Sequence, residues 1–380
     1  FYENFNNSFT PYTVSVKQKE LKDNNTYLAD ALYRTAESYR RLSIHDKAVN
    51  YYREVLKKKS SKYPLIKFHY AHELKALGQF AEAKQMIESF LVEYKKNDSF
   101  KKEAQGAISS IDLGIQEFKK KDVQYFVQKP LQFERKDTGA NYGIVFLNDS
   151  IVLMNTTRKN YDLSKNIHQN RVFSANIKGE NISKYLPVLA LAPEEWSNMA
   201  VGSMSENGKE IFLTKWFLRD GKKFSSIYIS KKTQNGWSIP TALNELNDTS
   251  YNTQQPFITT VNGVKTIFFS SDRTGGMGNY DLYYAQRVDS NTFGKPINLG
   301  NQINTELDEV APYYNVITQS LVFSSNGRIG LGGYDLFMTK YPSATATVTN
   351  LGYPVNSIKD DRSEEHTSEL QSRQYLVCRL

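Results

Sequence analysis

The chain has 380 residues, a formal net charge of +8 and a single cysteine. That length accommodates two or more domains with cores of their own, and one cysteine excludes a disulfide framework and a cysteine-built metal site. No apolar run approaches the ~18 residues a bilayer-crossing helix needs. With neither a groove-reading motif nor an arginine cluster, the positive charge alone does not make a nucleic-acid binder.

Residues 1–24 read as an N-terminal extension, and residues 25–121 as helical. In ALYRTAESYRRLSIHDKAVNYYREVLKK, Leu32, Ala36, Tyr39, Ala48, Tyr52 and Val55 fall at helical spacing on two segments split by a short turn. The pattern returns thirty-five residues later: Ala36 maps to Ala71, Ala48 to Ala83 and Tyr52 to Ile87. Small residues at these places let paired helices cross closely. Pro64 closes the first unit, Gly78 marks the turn of the second, and the segment from Ser99 to Lys121 caps the stack. The period and the alanines resemble tetratricopeptide repeats, which implies a groove for a partner segment. Most of the positive charge lies here: residues 1–140 hold 25 Lys and Arg against 18 Asp and Glu. Its lysine runs, at Leu56–Lys62, Tyr94–Asp98 and Phe118–Asp122, sit at helix ends, where lysines suit the macrodipole and stay solvated.

Residues 122–140 read as a connector that ends as a first outer strand. Beyond it the chain repeats itself. FFSSDRTGGMGNYDLYY from Phe268 is echoed by VFSSNGRIGLGGYDLFM from Val322, with Tyr280-Asp281 and Tyr334-Asp335 fifty-four positions apart. INLGNQIN from Ile297 is echoed by TNLGYPVN from Thr349, and fainter copies lie at Glu210–Ser230, Gly236–Asn247 and Gly143–Arg158. Short β-branched and aromatic runs, each followed by a glycine-rich turn, predict hairpins, about four strands to a period. Sheets are expected to begin near Tyr142, Met199, Gln255 and Ala311, with a fifth opening at Asn350. Residues 141–361 resemble the WD40-like β-propeller of TolB-type proteins. The two downstream copies match that repeat well. In the degenerate upstream copy, Trp216-Phe217-Leu218-Arg219 replaces the glycine-rich turn. The expected fold class is multidomain, α plus all-β: an N-terminal tetratricopeptide-like helical-hairpin stack followed by a partial β-propeller.

The repeat stops at Asp361. RSEEHTSELQS and LVCRL, in residues 362–380, match the translation of a common DNA sequencing adapter. The segment is expected to be foreign to the protein, with Cys378 and His366 foreign along with it.

The residue sets that carry enzymatic chemistry are missing: there is no G-x-S-x-G elbow, no Walker loop and no dinucleotide fingerprint. HELKA at His72 has Ala76 where a zinc protease needs histidine, and His69 with His72 would give a metal only two ligands. The repeated Asp272, Arg273, Tyr280, Asp281, Tyr334 and Asp335 are expected to be structural, because a residue recurring once per sheet suits a local turn or backbone amides better than acid–base work. The glycines of DRTGGMGN are expected to supply positive φ, and Trp196, Trp216 and Trp237 to pack between sheets. No catalytic, cofactor or metal site is expected.

Helical repeats followed by this propeller resemble OmpA-family and type IX secretion-associated envelope proteins of Bacteroidota. The resemblance spans Asn25 to Asp361. It implies a non-enzymatic periplasmic scaffold at the outer membrane, binding envelope proteins through the helical groove and the propeller face. It also implies peptidoglycan contact through a domain beyond Asp361, and a lipid anchor ahead of Phe1. A different class, a propeller gating a hydrolase or peptidase domain, would require a nucleophile elbow beyond Asp361. The helical repeats in front argue against it.

Overall fold

The computed structural model describes residues 25–58, 62–120, 132–133, 141–159, 168–178, 181–194, 197–290, 292–343, 345 and 347–361. The extension at 1–24, most of the connector, Trp196 and the tail at 362–380 lie outside the described residues. The chain divides into two compact units, one holding the helices and the other the strands.

The helical unit is α1 (Asn25–Arg41), α2 (His45–Lys57), α3 (Ile66–Ala76), α4 (Phe80–Glu93) and α5 (Ser99–Glu117). Ala36, Ala48, Ala71 and Ala83 are all buried, and the absence of bulk there lets neighbouring helices close on Tyr52, Leu74, Ile87 and Phe90. Gly78 ends α3 in the left-handed region at φ +72, where its lack of a Cβ avoids strain. Asp98 caps α5, its carboxylate accepting from the Lys101 amide.

The strand unit is β-propeller-like, its described residues forming four sheets in chain order. Sheet 1 holds β1 (Gln132–Phe133), β2 (Asn141–Asn148), β3 (Ile151–Lys159), β4 (His168–Lys178) and β5 (Asn181–Pro187); β1 lies outermost, parallel to β5. Sheet 2 holds β6 (Asn198–Met204), β7 (Glu210–Arg219), β8 (Lys222–Thr233) and β10 (Thr241–Ala242), with β9 (Gly236–Trp237) also on β8. Sheet 3 runs β11 (Thr253–Val261), β12 (Val264–Ser271), β13 (Asp281–Gln286) and β14 (Ile297–Asn298). Sheet 4 repeats that order with β15 (Glu309–Asn315), β16 (Ser320–Ser325), β17 (Asp335–Lys340) and β18 (Thr349–Asn350).

Strand alternation gives each inner sheet two buried faces. Phe212, Ile227 and Ile229 of sheet 2 meet Ile258, Ile267, Phe269 and Tyr283 of sheet 3. Phe268 and Leu282, on the other face of sheet 3, meet Leu321, Phe323 and Phe337 of sheet 4. Partly buried between sheets 2 and 3, Arg287 holds Glu210 in a two-pronged ion pair at 2.6 and 2.8 Å.

One expectation is corrected. Thr349 and Asn350 do not open a fifth sheet; they close the fourth, pairing with Met338 and Phe337 just as Ile297 and Asn298 close the third. The phrase recurs because every sheet needs an outer strand.

Candidate functional site

The repeated polar residues form three devices, each engaging the protein's own main chain. The first clasps the glycine-rich loop. Asp281, 1% exposed, accepts from the Met277 amide at 2.6 Å, the Gly278 amide at 2.9 Å and Asn298 Nδ2 at 2.7 Å. Asp335 likewise accepts from Asn350 Nδ2 at 2.9 Å. Of the glycines in this loop, Gly275 has positive φ, at +87. Gly278 is needed for a different reason: a Cβ there would stand 1.9 Å from the Leu307 carbonyl oxygen, to which Asn279 N donates.

In sheet 2 this clasp is gone from both sides at once. Ser226 stands where sheet 3 has Asp281, and Ala242 where it has Asn298. There the chain runs as a straight hairpin, with Arg219 opposite Lys222 across a turn at Asp220 and Gly221, both of positive φ. A blade without the folded loop has no amides for a carboxylate to hold.

The second device is an asparagine clamp. Asn304 Nδ2 donates to Leu282 O at 3.0 Å, and Asn304 Oδ1 accepts from Leu282 N at 2.8 Å. Asn356 does the same to Leu336, and Asn247 to Ile227. Sequence reasoning passed over these residues, although each ends one of the aligned phrases.

The third is a latch between consecutive sheets. Asn198 Oδ1 accepts from Asn170 N at 3.0 Å, Asn252 Oδ1 from Ser225 N at 2.8 Å and Asp308 Oδ1 from Tyr280 N at 3.2 Å. Asp360 Oδ1 accepts from Tyr334 N at 3.2 Å. Asp272 and Tyr334 support this latch. Asp272 accepts from Asn252 N and, at 2.7 Å, from Asn252 Nδ2; Tyr334 Oη donates to Asp308 Oδ2 at 2.5 Å.

Arg273 lies among Tyr251, Tyr283 and Phe269, with ring centroids 4.7, 4.7 and 5.1 Å from its guanidinium carbon. It donates to Ser271 Oγ and to Leu246 O, and burial lowers its pKa. Glu309, fully buried, accepts from Thr305 N, Thr305 Oγ1 and Ser325 Oγ at 2.6–2.7 Å, while burial pushes its carboxyl up. Trp216 packs with Tyr142 and Ala200, and Trp237 against the cluster between sheets 1 and 2.

The helical unit has a polar centre of its own. Glu37 accepts from His69 Nδ1 at 2.8 Å, from Arg40 and from Tyr52 Oη, joining the first helical hairpin to the second. Burial alone would raise its carboxyl, but those donors outweigh it and hold the pKa well below its ordinary 4.5. His45 bonds Glu73 at 2.8 Å, and Tyr70 donates to Glu82 at 2.6 Å. His69 and His72 address different carboxylates: His72 Nε2 stands 3.8 Å from Glu103. Among the described residues no group of three or more His, Cys, Asp or Glu is placed to hold a metal ion. Nor, among them, is any helix long and apolar enough to cross a membrane.

Residues 30–59 match the family model described as tetratricopeptide repeat. A search of curated proteins found no match. Among solved structures, an endo-arabinase from Bacteroides thetaiotaomicron is similar at 15% identity and TM-score 0.39, over 61% of this chain and 85% of that one. An α-L-arabinofuranosidase from Lactobacillus brevis is similar at 10% identity and TM-score 0.37, over 56% and 73%. An α-L-arabinanase from Penicillium chrysogenum is similar at 10% identity and TM-score 0.38, over 56% and 66%. Likenesses this slight carry no argument about this chain's chemistry.

Proposed function

We propose that this protein is a non-enzymatic scaffold that brings partner proteins together, working in the periplasm at the outer membrane. Two kinds of repeat support the reading: a tetratricopeptide-like stack, whose family match speaks for protein–protein interaction, and a propeller-like array of sheets. The observation that carries the non-enzymatic part is the state of the repeated polar residues. Asp281 has three donors and Asp308 has donors on both oxygens, so the carboxylates an acid–base mechanism would recruit are committed to loops and strands. The envelope location, the link to type IX secretion and cell-wall contact through an OmpA-like domain beyond Asp361 are part of the proposal; they follow from the resemblance of the repeat order. Affinity capture from envelope extracts tests it. Recovery of outer-membrane or secretion components supports the scaffold, whereas a preparation that captures none of them and hydrolyses peptide or glycoside substrates sinks it.

A further inference from the structure

In sheets 2, 3 and 4 the turn between the first two strands and the link after the third strand lie at one end. A backbone bond joins them in each: Lys232 N donates to Lys209 O at 2.8 Å, Arg287 N to Lys265 O at 2.8 Å and Tyr341 N to Gln319 O at 3.0 Å. The three ends share one face of the strand unit. Glu206, in the turn of sheet 2, accepts from Thr260 N and Thr260 Oγ1 of β11 at 3.1 and 3.0 Å. Val261, where β11 ends, packs in one cluster with Tyr314, beside the turn of sheet 4.

Charge sets this face apart. Its turns and links, residues 205–210, 231–241, 261–265, 286–297, 315–320 and 339–349, hold seven basic residues against three acidic. Glu210 is engaged by Arg287 and Glu206 by Thr260, whereas Lys209, Lys232 and Lys340 are exposed. The opposite face, at residues 216–225, 243–252, 271–281 and 299–309, holds four basic against eight acidic. Apolar side chains stand among the lysines. Ile239, Val264, Val288, Val316 and Ile317 are all exposed, Ile317 at 90%. Val264 directly precedes Lys265, and Lys340 Nζ donates to Thr318 O, next to Ile317, at 2.6 Å. Exposed aliphatic tips backed by lysines combine the two attractions that hold a protein on a charged bilayer, apolar insertion and attraction to lipid phosphates.

We propose that this face docks on an anionic lipid surface. Val264, Val316 and Ile317 sink into the boundary between headgroups and acyl chains, and Lys209, Lys232, Lys265 and Lys340 meet the phosphates above it. Leu218, Met277 and Leu307 are exposed at the other face as well, but the carboxylates there oppose an anionic surface. Each apolar tip of the basic face sits on its own turn. A folded partner would need a separate pit for each, whereas a bilayer yields to all of them. The inference goes beyond the scaffold reading and does not depend on it, since lipid binding is measured with no partner protein present.

Vesicle flotation with the 380-residue chain tests it, because bound protein rises with the lipid while aggregated protein sinks. The chain is expected to float with vesicles of equal parts phosphatidylcholine and phosphatidylglycerol, to stay behind with phosphatidylcholine alone, and to be released by high salt. Val316→Ser with Ile317→Ser, and separately Lys209→Glu with Lys232→Glu, should each lower the floated fraction at least about fivefold. Leu218→Ser, on the acidic face, should leave it unchanged. No flotation with the anionic vesicles would overturn the proposal. So would flotation that survives both double variants, which would assign lipid binding to the lysines of the helical unit. Equal loss in Leu218→Ser would overturn the choice of face. If the vesicles are ignored and the same double variants instead abolish capture of an acidic protein from envelope extracts, the face docks protein and the lipid assignment falls.

Discussion

Asn304 and Leu282 hold one another through two hydrogen bonds, Leu282 N to Asn304 Oδ1 at 2.8 Å and Asn304 Nδ2 to Leu282 O at 3.0 Å, with Asn304 only 1% exposed. One side chain thus engages both main-chain groups of a residue in the third strand. Asn304→Ala leaves the Leu282 amide without a partner, at ~1–3 kcal/mol, while Leu282 O keeps its bond from Leu299 N. The expected result is a lower denaturation midpoint for the strand unit with an unchanged slope. Asn304→Asp keeps the acceptor but sets a buried carboxylate against Leu282 O and Asn298 Oδ1, so at neutral pH it should lower the midpoint at least as far as Asn304→Ala. A midpoint for Asn304→Ala equal to that of the parent would remove the clamp from the account.

Two glycines of α5 give opposite predictions. Gly106 is exposed, and a Cβ there meets nothing within 4 Å. Gly106→Ala should therefore stabilise the helical unit by ~0.5–1 kcal/mol, through the smaller conformational freedom of the unfolded chain. Gly114 is buried, and a Cβ would stand 2.4 Å from the ring of Phe80, itself 6% exposed. Gly114→Ala should cost ~1–3 kcal/mol as that ring is displaced. Thermal melts followed by the helical circular dichroism signal decide it; shifts of the same sign would contradict the packing described for α4 and α5.

Much of this architecture was legible because its signals are local. Ala36, Ala71, Ala48 and Ala83 show their period within one helical hairpin, and Phe268 to Tyr284 spells out two strands and their turn. The clamp was hidden because Asn304 acts on a backbone group twenty-two residues earlier, and a main-chain partner leaves no trace in residue type. In the sequence the loss of the clasp in sheet 2 shows only as Trp216-Phe217-Leu218-Arg219 in place of the glycine-rich turn. It becomes intelligible once Ser226 and Ala242 are seen at the places of Asp281 and Asn298. A recurring phrase also does not say whether it opens or closes a sheet; the pairing of Asn350 with Phe337 does.

His72 makes the helical unit sensitive to acid. Burial, reinforced by the charges of Lys75, His69 and Arg40, lowers its pKa from 6.5 to about 4, and the Glu103 carboxylate at 3.8 Å does not reverse this. The unfolded chain takes up the proton first. The contribution of neutral His72 is therefore complete above pH 6.5 and is lost as pH falls from 6.5 towards about 4. Glu37, whose pKa is held below its ordinary 4.5, adds a separate loss that sets in as pH falls below 4.5, where the unfolded chain again takes up the proton first. In His72→Leu the first decline should flatten while the second remains. Parallel stability profiles for parent and variant between pH 6.5 and 4 would assign the decline to other groups.

The latch uses one carboxylate and one amide at the head of each of sheets 3 and 4, but in opposite places. Sheet 3 pairs Asn252 with Asp272, and sheet 4 pairs Asp308 with Asn326, whose Oδ1 accepts from Asp308 N at 2.8 Å and whose Nδ2 donates to Asp308 Oδ2 at 3.2 Å. Asn326→Asp would set two carboxylates against each other, and Asp308→Asn would set amide against amide. Each single change should destabilise by ~1–3 kcal/mol. The double variant recreates the arrangement of sheet 3, with the new asparagine still able to accept from Tyr280 N. It should recover most of the loss, less ~1 kcal/mol for the bond from Tyr334 Oη that Asp308 now receives. A double-mutant cycle measures the coupling. Additive losses would mean that the two positions do not act as a pair and that the exchange between sheets carries no structural meaning.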